Sequence, residues 1–192
     1  MSRSLKQLTY SALFLALALA LPFLTGQIPQ IGGMLAPMHL PVLLCGFVCG
    51  GPWGLAVGAV APLLRSLLFG MPPLYPVAVA MTFELAAYGL LTGILWPLFQ
   101  KKIKNRIGAI YAALGCAMVG GRAVWGLARF VMAGLDATAF PFTAFLAGAF
   151  TTAVPGIIVQ LILVPLIVVG LEKAGIAGLA SNAPAQPSHG RR

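Results

Sequence analysis

Val77–Phe99 reads VAVAMTFELAAYGLLTGILWPLF, an apolar run broken by one ionisable residue, Glu84. A helix that crosses a bilayer needs about 20 mostly apolar residues, because the hydrocarbon core is about 30 Å thick and each residue advances the helix by about 1.5 Å. The run meets that length, and in hydrocarbon a helix satisfies its own backbone hydrogen bonds. On either side of it, Leu8–Phe23, Met38–Cys49, Trp53–Phe69, Gly108–Ala133 and Phe145–Leu171 are also apolar. They are delimited by glycine, proline or clustered charge, as in Gly50-Gly51-Pro52 and Met71-Pro72-Pro73. The second run is short, so it either extends back through Gly32–Pro37 or has its ends enclosed by neighbours.

Composition agrees. The chain has 192 residues, 60% hydrophobic and 8% charged, with a mean hydropathy of +0.98, which excludes an ordinary soluble domain. The expected fold is an all-α integral membrane domain of six transmembrane helices over residues 1–173. Residues 174–192, rich in Ala, Pro, Ser and Gly and without periodicity, read as a disordered cytoplasmic tail. Arg3 and Lys6 precede the first run as they would in a signal peptide. No small-residue cleavage site follows, however, and Pro22-Phe23-Leu24 come next, so the first helix reads as retained.

The net charge of +9 raises nucleic acid as a partner, but the basic residues are dispersed and form no single basic face, so no nucleic acid is expected. Membrane topology explains them better. Arg3 and Lys6 precede the first helix; Lys101, Lys102, Lys104 and Arg106 lie between the fourth and fifth; Lys173, Arg191 and Arg192 follow the sixth. The connections near 24–37, 70–76 and 134–144 carry no Lys or Arg. By the positive-inside rule this predicts an even number of helices with both termini cytoplasmic. Cys45, Cys49 and Cys116 lie in or beside apolar runs without metal-ligand spacing, and read as small buried residues.

Four charges remain inside the runs, Arg65, Glu84, Arg122 and Arg129, with Asp136 just beyond the fifth. Each costs on the order of 2.5 to 3.5 kcal/mol at the centre of a spanning helix, and such residues usually line a pathway or site. Counting along the helices puts Arg65, Glu84 and Arg129 at one level near the outer surface. Arg122, Trp125 and Arg129 share a helix face, as do Glu84 and Tyr88. Either Glu84 neutralises one arginine as a buried ion pair, or the arginines clamp an anion with Trp125 and Tyr88 as walls. Arg65, near its helix end, has the further option of snorkelling to headgroups. The expected solute is small and anionic.

Ala12, Ala16 and Ala20 recur on one face of the first helix, spacing that admits a close helix neighbour, inside or outside the bundle. With six short helices and basic connections, this resembles the substrate-binding S component of energy-coupling factor (ECF) vitamin transporters. Met38-His39-Leu40-Pro41-Val42-Leu43-Leu44-Cys45-Gly46 and Gly51-Pro52-Trp53-Gly54 are similar to the start of helix 2 and the turn into helix 3 in pantothenate-type and related members. The resemblance spans about Leu8 to Leu171. It implies that Ala12, Ala16 and Ala20 dock a transmembrane coupling subunit and that the 24–37 connection caps the vitamin. It also implies that His39 either faces the site or bonds to backbone at its helix start. The chain would then capture its vitamin from outside a prokaryotic plasma membrane and topple on docking.

The sequence has no GxxxxGK[ST] loop, so ATP hydrolysis would belong to two partner ATPases. No cofactor is expected, and the resemblance disfavours the metal-carrying members, which use a histidine near the amino terminus. The rivals are a membrane enzyme, for which acid, base and metal-binding residues are scarce, and a stand-alone secondary transporter, which predicts an inverted repeat and a coupling carboxylate. Three arginines against one glutamate favour a carboxylate vitamin over cationic thiamine. Pantothenate is the first candidate, with folate, biotin and niacin behind it.

Overall fold

The computed structural model describes residues 2–25, 35–135, 141–148 and 153–175. Asp136, most of the 24–37 connection and most of the tail lie outside these residues. Every regular element described is helical. In chain order they are α1 (Arg3–Ala20) with a 3₁₀ turn at Leu21–Thr25, α2 (His39–Cys49) and α3 (Gly51–Phe69). A kinked segment at Leu74–Ala78, with Tyr75 extended, leads into α4 (Val79–Lys102), and α5 (Arg106–Leu135), α6 (Phe142–Leu146) and α7 (Val154–Lys173) follow.

Among the described residues, five helical stretches are long and apolar enough to cross a membrane: Arg3–Leu24, Gly51–Phe69, Leu74–Lys102, Arg106–Leu135 and Val154–Lys173. The second expected helix is the 11-residue α2, about 16 Å long by the helical rise and so shorter than the hydrocarbon core. It lies within the bundle, with His39 and every residue from Pro41 to Cys49 buried. A helix apolar all round is stable where protein surrounds it. The last apolar run also differs from expectation. Its described residues include the end of α6 and all but the last two residues of α7, which starts at Val154, next to Pro155 in its first turn, and residues 149–152 lie outside the described residues.

The outside of the bundle is apolar, the reverse of a soluble protein. Val119, Leu127, Phe130 and Leu166 are each at least 65% exposed, and a surface of this kind marks contact with lipid or with another protein. The inside is held by close backbone approach, since lipid tails are as apolar as leucine and drive no helix association. A Cβ on Gly54 would overlap the Gly89 backbone, one on Gly89 would overlap Gly54, and one on Gly93 would overlap Gly50 and Gly51. These glycines let α3 and α4 touch main chain to main chain. Gly50 itself has φ 96°, a left-handed conformation that favours glycine. It ends α2 and starts α3 within one residue.

Candidate functional site

Three helices bring four of the expected site residues together. Glu84 and Tyr88 lie one turn apart on α4, Arg122 stands midway along α5, and His39 opens α2. Arg122 Nη1 is 2.8 Å from Glu84 Oε1, and His39 Nε2 is 3.4 Å from the same oxygen. The His39 and Tyr88 rings meet edge to face at 5.3 Å between centroids. Tyr88 is fully buried, and its ring rests where a Cβ on Gly121 would stand, so the absence of that side chain on α5 makes its room.

Electrostatically the cluster is one carboxylate shared between a guanidinium and an imidazole. The Glu84 side chain is 2% exposed and that of Arg122 is 12% exposed, so each charge needs the other at this depth. The pairing leaves valences open. Both ring nitrogens of His39, the Tyr88 hydroxyl and Arg122 Nε are buried without a hydrogen bond among the described residues. The Arg122 approach to Glu84 is therefore a contact between charges and the His39 approach a polar contact, and neither is an aligned hydrogen bond. Buried polar atoms normally find partners, and these four lie close together with hydrogen-bonding capacity unused among the described residues.

Trp125 is one turn from Arg122 and packs its ring on Phe145 of α6, 6.3 Å between centroids and 29° between planes. A Cβ on Gly148 would meet this indole, and one on Gly126 would meet the Phe145 ring. Arg129 lies half-buried one turn beyond Trp125. The contacts of Arg65 lie elsewhere: its guanidinium donates to the Leu19 carbonyl and lies 4.8 Å from the Phe23 ring centroid and 5.3 Å from that of Phe69. It is 2% exposed and so does not snorkel.

Two further residues escaped the sequence reading. Gly121 shapes the Tyr88 slot; the Gly120-Gly121 pair inside a helix was its only signal. Gln160 is buried on α7 with Oε1 lacking a hydrogen bond, and a lone amide in the most apolar helix was the clue. On α1, Ala12, Ala16 and Ala20 are all exposed, whereas Ser11, Phe14 and Ala18 are buried.

No curated protein and no solved structure matches the chain. A family model does, that of the ECF transporter substrate-specific component, over residues 6–168. The match runs from the second turn of α1 into the last turns of α7, and on that extent the chain belongs to the family of substrate-specific components of ECF transporters.

Proposed function

We propose that this chain captures a small, water-soluble, anionic vitamin at the His39–Glu84–Tyr88–Arg122 cluster, with pantothenate the first candidate. The observation that carries this reading is the cluster itself: four polar side chains from three helices, buried in a membrane bundle with unfilled valences. Arg122 offers Nε to a carboxylate, while Tyr88 and His39 offer hydrogen bonds to hydroxyl or amide groups. Trp125, stacked on Phe145, forms an apolar wall one turn away, and Arg129 adds a second cation on the same face of α5.

Membership in the family makes the chain a membrane-embedded transporter subunit rather than an enzyme. We place it in a prokaryotic cell membrane with both termini cytoplasmic, a reading supported by the basic connections. Ala12, Ala16 and Ala20 form the face that docks the coupling subunit, which works with two ATPases. Their exposure supports this, since an internal packing seam would be covered.

Equilibrium titration of the purified chain with a vitamin panel tests the site. Anionic vitamins should bind, and Arg122→Ala and Arg129→Ala should each weaken that binding by about tenfold or more, given roughly 1.5 to 3 kcal/mol for a hydrogen bond to a charged group. Preference for thiamine, or unchanged binding in both variants, contradicts the reading. Ala16→Trp should leave binding intact while lowering uptake about tenfold or more, as overpacking a close helix contact costs about 1 to 3 kcal/mol. Loss of binding as well would place Ala16 in an internal seam.

A further inference from the structure

We infer that Arg65 is a positioning residue, fastening the C-terminal end of α1 to α3 and so fixing the attitude in which α1 presents Ala12, Ala16 and Ala20. The inference rests on the docking role proposed for that face. Lipid competes evenly with apolar side chains, so apolar packing alone holds the rotation of an outer helix weakly; directional hydrogen bonds hold it better.

Two such ties lie along the side of α1 opposite its alanines. Gln7 Nε2 donates to the Cys49 carbonyl at 3.0 Å, and the Cys45 thiol donates to Ser11 Oγ at 3.7 Å. Both lie in the N-terminal half. In the C-terminal half Arg65 donates to the carbonyl of Leu19, three residues after Ala16 and one before Ala20. Pro22 explains why that carbonyl accepts from outside: in the 3₁₀ register of Leu21–Thr25 the donor to Leu19 would be residue 22, and proline has no N–H. The guanidinium is gripped as well, against the Phe23 ring just past α1 and the Phe69 ring at the end of α3. Those two rings meet edge to face at 5.0 Å. A buried guanidinium is costly where an apolar residue would pack as well. Its directional grip on two elements is what an apolar residue could not supply.

The test co-expresses the full chain with an affinity-tagged coupling subunit and two ATPases from the same source, and measures how much chain is recovered with the tag. Thermal unfolding of each variant alone in detergent is the control. Arg65→Met should lower recovery about tenfold, the scale of one lost charged hydrogen bond. Arg65→Lys, which keeps a donor but loses the planar stack, should restore part of it. Phe69→Leu keeps the arginine and its carbonyl contact and should lower recovery severalfold; with Arg65→Lys it decides the matter should Arg65→Met fail to fold. Recovery must fall while the unfolding midpoints of these two stay near wild type. Wild-type recovery in all three, or recovery that merely tracks the midpoints, overturns the inference. Failure of the folded wild-type chain to be recovered would instead overturn the docking reading on which it rests.

Discussion

Glu84→Ala should destabilise the bundle by about 3 to 5 kcal/mol, the usual cost of removing one partner from a buried ion pair, and should abolish solute binding. The carboxylate is the counter-charge 2.8 Å from Arg122, and without it a guanidinium with 12% of its side chain exposed has no anion beside it in this cluster. Arg122→Ala should do comparable damage by stranding Glu84. The double variant Glu84→Gln/Arg122→Met should be less damaged than either single one, because apolar or neutral replacement of a whole buried pair is often tolerated. Denaturation midpoints of the three variants in detergent check this. Additive losses in the double variant would mean that the two groups do not act as a pair.

A comparable loss should follow Gly89→Leu. The Gly54 and Gly89 main chains leave no room for a Cβ on either side, and backbone, unlike a side-chain tip, cannot swing away. The cost should reach or exceed the upper end of the about 1 to 3 kcal/mol typical of overpacking, and should separate α3 from α4, carrying Glu84 and Tyr88 away from His39. Gly115→Ala is the control. A Cβ there meets nothing within 4 Å, so the change should be neutral or stabilise α5 by about 0.5 to 1 kcal/mol through helix propensity. Thermal unfolding separates the two. Equal tolerance of both substitutions would contradict the close α3–α4 contact.

Apolar run length was enough to locate the long helices. The Val77–Phe99 run became α4 with little adjustment, since in hydrocarbon the backbone has few alternatives to a helix. The boundary at Val154 was missed although Pro155 marks it: proline disfavours helix in the residue before it and suits the first turn of a new one. Counting turns compared the depths of Glu84, Arg65 and Arg129 but did not say which arginine Glu84 faces, and the structure sets it against Arg122. Counting along a helix gives depth only for untilted, straight helices, and says nothing of which faces meet. Arg65 shows the same limit, because its partners, the Leu19 carbonyl and two phenylalanine rings, carry no mark in the sequence. The alanine spacing on α1 was legible, and its exposure was not, because i, i+4 periodicity is the same for an inner and an outer face.

In the proposed function this chain captures solute while partners supply the energy. Its most direct test is uptake of radiolabelled pantothenate into cells lacking their own uptake system, expressing this chain alone, the chain with its coupling subunit and ATPases, or the chain with ATPases that cannot hydrolyse ATP. Accumulation against a gradient only with the intact module, together with binding by the chain alone, is the predicted result. Accumulation driven by the chain alone would make it a secondary transporter and contradict the proposed function.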